Sequence, residues 1–170
     1  GDVGALWDAM AKGYVDTIAS DHACITRGQK GNDMWTAQPG FGGTSLMLPL
    51  LLSEGYHKRG MALTRIAELI SLNPAICHGL YPKKGSIVIG GDADLAIVDL
   101  EKEQKVSTEI LNSAQDFTPF EGMMVKGWPV CTILRGEIVF ENGEVPGKAG
   151  YGEYIKRPVA LHYPNYSQGS

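Results

Sequence analysis

The sequence predicts an α/β segment over residues 1–80 followed by a mainly β segment over residues 81–170. Three observations carry this. Val15–Ala19 is a largely apolar run that ends in Asp21-His22. Apolar residues recur at helical spacing on both sides of that run. From Pro82 onward the composition changes to short apolar runs punctuated by Gly and Asn. A buried strand that delivers an Asp-His pair at its C-terminal end fits a parallel α/β barrel, where strand ends build the active site.

The elements follow in order. Val3, Leu6, Trp7 and Met10 predict a first helix, and Gly13 predicts its stop. Val15–Ala19 reads as a strand. Residues 26–43 are polar and Gly-rich and read as a long loop; such loops are uncommon unless functional or disordered. A helix follows with Leu46, Leu50, Leu51 and Tyr56 facing inward, and Pro49 falls in its first turns, where proline is tolerated. Leu63-Thr64 opens another helix through about Leu72, with Thr64 as its N-cap. Asn73-Pro74 opens a short one ending near Gly79.

The second half reads as β structure. Ser86–Ile89 and Leu95–Leu100 are expected as strands joined by Gly90-Gly91-Asp92. Val130–Leu134 and Glu137–Phe140 form a hairpin around Arg135-Gly136, and Asn142-Gly143 marks a tight turn. The tail from Tyr151 shows no clear period.

Composition narrows the function classes. The chain has 170 residues, 20% charged and 44% hydrophobic, with a net charge of -4. That is an ordinary globular profile, without the basic excess that points to nucleic acid. No apolar run approaches the ~20 residues of a membrane span. Cys24, Cys77 and Cys131 are widely spaced and odd in number, which points to reduced thiols and a cytoplasmic protein. Cys77 and Cys131 read as small core residues; Cys24 is close enough to His22 to line a site, but packing is its simpler role.

Asp21 and His22 are the leading candidates for chemistry. A helix cap by Ser20 or Asp21 explains the pair equally well when it is taken alone; its place after a buried strand favours chemistry. The glycines of Pro39-Gly40-Phe41-Gly42-Gly43 let backbone approach a small polar ligand, although a flexible loop explains them as simply. Gly91-Asp92-Ala93-Asp94 lacks the remaining ligands of a calcium loop and reads as a turn with solvated carboxylates. His57, His78 and His162 show no metal-ligand spacing.

Taken as an ordered series, these pieces resemble the metal-dependent cyclic amidohydrolases: hydantoinases (dihydropyrimidinases), dihydroorotases and allantoinases. Ser20-Asp21-His22-Ala23 looks like the end of the family's last barrel strand. Pro39-x-x-x-Gly43 and Leu48-Pro49-Leu50-Leu51 look like its next segment. Asn73-Pro74-Ala75, Gly79-Leu80-Tyr81-Pro82-x-Lys84-Gly85, Gly91-Asp92-Ala93-Asp94-Leu95, Phe120-Glu121-Gly122-Met123, Val125-Lys126-Gly127 and Arg135-Gly136 continue the series. Dihydroorotases carry a second histidine three residues after the first; Ile25 stands there and Cys24 replaces the preceding proline, which argues against a dihydroorotase, while Glu121-Gly122-Met123 and Gly150-Tyr151-Gly152-Glu153-Tyr154-Ile155 look more like hydantoinases. The family's glutamate after the glycine loop is Ser45 here.

The resemblance implies the C-terminal part of a (β/α)8 amidohydrolase barrel, residues 1–80, followed by a small β-sandwich-type domain and tail, residues 81–170. It implies zinc, one or two ions in the intact enzyme, with Asp21 as metal ligand and general base. It implies that Pro39 and Gly40 contact the ring amide of the substrate. The HxH pair, the bridging lysine and the two metal histidines of the family have no counterpart in this sequence. The expected activity is therefore that of an intact enzyme including an N-terminal portion: hydrolysis of a cyclic amide or imide C–N bond, hydantoinase-like, or else dihydroorotase- or allantoinase-like. The chain alone is expected to be inactive and not to hold zinc tightly. A non-catalytic scaffold or assembly subunit is the alternative from another class. The expected partners are the cyclic amide, the N-terminal portion and further copies in a homo-oligomer, since an unpaired apolar strand exposes edges and faces that need covering.

Overall fold

The computed structural model describes residues 1–156; His162 and the rest of the tail lie outside the described residues. Helix α1 (Asp2–Ala11) leads into an extended stretch, then a single 3₁₀ turn at Arg27–Lys30. Helix α2 (Met47–Leu50) continues as wider i→i+5 turns through Leu51–His57. Helix α3 (Leu63–Ala67) widens in the same way over Glu68–Leu72 and runs on into α4 (Asn73–Cys77). Strands β1 (Leu95–Lys105), β2 (Met124–Leu134) and β3 (Glu137–Glu141) form one antiparallel sheet in the order β1-β2-β3.

Local chemistry explains the boundaries. Asp2 sits in the first turn of α1, where a negative charge suits the helix dipole. Gly13, at φ +85°, turns the chain out of that helix. Pro49 lies in the first turn of α2, where proline is tolerated. Arg135 and Gly136, both at positive φ, make the two-residue turn between β2 and β3.

Two apolar clusters organise the packing, and the helix from Met47 to His57 lies between them. On one side, Leu51 and Leu52 join Met10, Met61, Ile66 and Leu69, with Trp7, Val15 and Ile18 packed against them. On the other, Leu46 joins Val106, Leu111, Val125 and Trp128. At Gly127, φ +94°, sheet and helix approach closely: a Cβ there would stand 2.7 Å from Leu52 Cβ. The buried Ser53 hydroxyl accepts from the Lys126 N–H next to it at 3.2 Å.

The structure corrects several expectations. Val15–Ala19 is extended but is not a strand, because among the described residues no strand lies beside it. A strand is stabilised by its ladder partners. Helix groups bind its backbone instead: Arg65 Nη2 donates to Val15 O at 2.6 Å, Asn73 Nδ2 to Asp16 O at 2.8 Å, and Leu69 O accepts from Ile18 N at 3.1 Å. Ser86–Ile89 does not pair with β1 either. Lys84 reaches back to both Asp92 and Asp94, and Gly91 N–H closes a turn onto Val88 O at 3.0 Å, so the segment winds through turns. The carboxylates of Asp92 and Asp94 are thus tied to a lysine rather than left to solvent. Ala62 holds the cap position of α3, and Thr64 lies inside the helix. Cys24 and Cys77 are exposed; Cys131 alone of the three is buried.

Candidate active site

The end of the extended stretch, the glycine loop and a third loop from the β segment converge on one place. Asp21 takes a left-handed conformation, φ +45°, which turns the chain sharply as it leaves Ser20. The residue is exposed, and among the described residues no hydrogen bond or ion pair reaches its carboxylate. A carboxylate held this way at a chain turn is open to a proton, a cation or a ligand donor.

His22 faces the glycine loop. Its Nδ1 accepts from the backbone N–H of Gly43 at 3.1 Å and of Thr44 at 3.3 Å. An Nδ1 that accepts cannot carry the proton, so these bonds set the Nε2–H tautomer. Ser20 and Thr44 hydroxyls meet at 3.3 Å, and Ala23 N–H donates to Phe41 O at 3.0 Å. The loop from Pro39 to Thr44 is therefore pinned along the stretch Ser20–Ala23.

Gly40 shows why glycine is required in this loop. At φ +91° it lies in the left-handed region, and a Cβ would stand 2.7 Å from Ala23 Cβ. Lys30 donates to the carbonyls of Gln38 and Gly40, so the backbone around Pro39 is held by a charged donor from the 3₁₀ turn. That turn is itself capped: Thr26 and Gln29 bond to each other across its start.

The third wall comes from residues 111–118. Ser45 Oγ donates to Leu111 O at 2.7 Å, Asp116 accepts from Arg27 N–H at 2.7 Å, and Cys24 Sγ lies 3.5 Å from Ser113 Oγ. The Phe117 ring sits 5.5 Å from Lys30 Nζ and 5.9 Å from the Arg27 guanidinium, within cation–π reach. Next to the site, Asp33 accepts from Trp35 N–H, Thr36 N–H and Thr36 Oγ1. Its carboxyl is held below the usual range first by the Thr36 hydroxyl and then by the two backbone donors.

Asp21, Pro39 and Gly40 thus lie on adjoining segments, with His22 linking them. Lys30, Gln115 and Asp116 are partners that motif reading passes over. Only Lys30 carried a signal, as a cation inside a glycine-rich loop. Among the described residues no three His, Cys, Asp or Glu side chains gather into a metal-holding group. One carboxylate does not fit a catalytic zinc ion by itself, since such sites take about three protein ligands. No described helix is long and apolar enough to cross a membrane.

Comparison with known proteins defines the class. Residues 2–139 match the model of the amidohydrolase family, and the chain belongs to that family. It is 38% identical over 155 residues to an L-hydantoinase of Paenarthrobacter aurescens, covering 89% of this chain and 34% of that protein. It is 42% identical over 151 residues to an allantoinase of Rubrobacter xylanophilus, covering 88% and 33%. A solved D-hydantoinase (dihydropyrimidinase) from Thermus sp. superposes with a TM-score of 0.87 at 29% identity, covering 91% of this chain and 34% of that one. The chain spans about a third of the length of the curated relatives it matches.

Proposed function

We propose that this chain forms the last α/β unit of a (β/α)8 barrel and part of an adjoining β-sandwich in an enzyme that hydrolyses a cyclic amide C–N bond. One observation carries the reading. An open carboxylate, Asp21, sits on a chain turn whose next residue fastens a glycine loop with its backbone exposed. In this reading Asp21 Oδ takes a proton from the attacking water and returns it to the leaving ring nitrogen. A carboxylate within hydrogen-bond reach of both atoms suits that work. Backbone at Pro39 and Gly40 meets the ring amide, because a glycine with no side chain lets the main chain approach.

Zinc would be held by Asp21 together with residues outside this chain. Asp21 is the one ligand assigned here, and the rest of the donor set would come from the N-terminal portion. The groove between α3 and β1, about 700 Å³, is consistent with a further covering segment. Leu52, Ile66, Ile70, Val98 and Ile87 line it, and Ile87 is 88% exposed.

The names of the hydantoinase and dihydropyrimidinase relatives support hydantoins and dihydropyrimidines as substrates; the allantoinase relative supports allantoin as the second reading. The test is to combine the chain with the N-terminal portion of its own protein and assay hydantoin, dihydrouracil and allantoin. Turnover of one of them that disappears in Asp21→Ala is the expected result. No turnover of any cyclic amide by the combined protein would remove the enzyme reading and leave the scaffold role.

A further inference from the structure

Gln115 is 5% exposed, in the loop that forms the third wall of the site. Its Nε2 donates to Phe117 O at 3.2 Å and to Gly42 O at 3.4 Å, and its Oε1 accepts from Ser113 Oγ at 3.3 Å. The bond to Gly42 is long, and the steric fit says more. A Cβ built on Gly42 would lie 1.2 Å from Gln115 Oε1, so the glutamine amide fills the volume that a side chain at position 42 would take. The depression where His22, Gly42, Gly43 and Gln115 meet holds no water-sized space. Gly42 is therefore gripped from behind by Gln115, while the next two residues bond forward to His22 Nδ1. Two residues to the other side lies Gly40, pressed against Ala23.

We propose that Gln115 is a positioning residue: by occupying the space beside Gly42 it sets the Pro39–Thr44 loop, and with it the backbone offered to the cyclic amide. The inference rests on the substrate-contact role of Pro39 and Gly40 given above. Gln115 touches no reacting atom; it acts through the loop. A side chain of the same length without the amide leaves the Gly42 and Phe117 carbonyls without this donor and removes the fixed shape against which the loop packs.

Two measurements test it, one needing no activity. In this chain, Gln115→Met is expected to raise amide exchange at Gly43 and Thr44 about tenfold, with the amides of β1–β3 unchanged. Gly42→Ala should do the same, because its methyl must eject the glutamine amide. Adding Gln115→Ala to Gly42→Ala should cause no further loss, since the space is then free. Unchanged exchange at Gly43 and Thr44 in both single variants, or additive losses in the double, overturns the inference. If Gln115→Met fails to fold, Gly42→Ala and the double variant decide it. In the combined enzyme, Gln115→Met is expected to raise KM for the cyclic amide about fivefold with kcat little changed. A fall in kcat alone, at unchanged KM, overturns the positioning role. Absence of turnover in the unaltered combined enzyme counts against the proposed reaction, and the exchange result still decides whether Gln115 sets the loop.

Discussion

The backbone N–H of Ile18 donates to the carbonyl of Leu69 at 3.1 Å, five positions before Pro74. In the wide turns of Glu68–Leu72 each carbonyl looks for the N–H five residues on. For Leu69 that residue is a proline, which has none. The extended stretch supplies the missing donor, and the helix thereby holds the segment that leads to Asp21. Ile18→Pro removes the donor. It is expected to cost about 1–3 kcal/mol, the penalty of an orphaned buried acceptor, read as a lower urea midpoint. An unchanged midpoint would show that this bond contributes nothing.

Gly127→Ala should cost about 2 kcal/mol or more, from a strained positive φ and an overpacked contact together. The new methyl would collide with Leu52 Cβ, which belongs to a helix face with no room to retreat. Thermal unfolding checks this. Gly143→Ala, where an added Cβ meets nothing within 4 Å, separates the two causes, because it carries the backbone strain without the clash.

Lys84 and Asp94 give the fold a pH window. Partial burial pushes Asp94 up, but hydrogen bonds from Lys84 and the Arg135 N–H and the charge of Lys84 outweigh it and hold the carboxyl below its ordinary 3.8. Burial likewise pushes Lys84 down, and the hydrogen bonds and charges of Asp92 and Asp94 outweigh it, raising the ammonium above 10.5. A depressed acid stabilises the fold above its ordinary value and loses that as pH falls through the folded value. A raised base stabilises it below its ordinary value and loses that as pH climbs through the folded one. The Tm difference between the unaltered chain and Lys84→Met should therefore be flat from about pH 5 to about pH 10 and shrink on both sides. A difference that grows toward acid would contradict the assignment.

The extended stretch has no ladder partner among the described residues, and its outward edge invites pairing with a second copy or with the N-terminal portion. Ile18→Lys would weaken such pairing but would also damage the core that Ile18 packs against. Ala19 is exposed, so Ala19→Lys isolates the effect. Light scattering should show a larger assembly for the unaltered chain that Ala19→Lys reduces. A monodisperse monomer in both would refute the pairing.

Much of the helical half was legible in the sequence. Val3, Leu6, Trp7 and Met10 with Gly13 mark α1, and Pro49 sits where a helix tolerates it. The Arg135-Gly136 hairpin was legible too, because a tight turn has a local residue code. The strands expected at Val15–Ala19 and Ser86–Ile89 were not formed, and for the same reason. A strand depends on what lies beside it, and neither segment has a partner in the described chain.

By itself the sequence determined the periodic helices and the turns, because those depend on neighbours in the chain. It also carried the family resemblance, through an ordered series of short motifs, and that resemblance singled out Asp21, Pro39 and Gly40 as candidates. Only the tertiary structure decided that His22 turns its Nδ1 to Gly43 and Thr44, that Gln115 fills the space beside Gly42, and that Lys84 joins Asp92 and Asp94. Gln115 lies 73 residues beyond Gly42, and neither residue type announces the contact. The fit between a missing side chain and a buried amide exists only once packing brings the two loops together, and no local pattern encodes it.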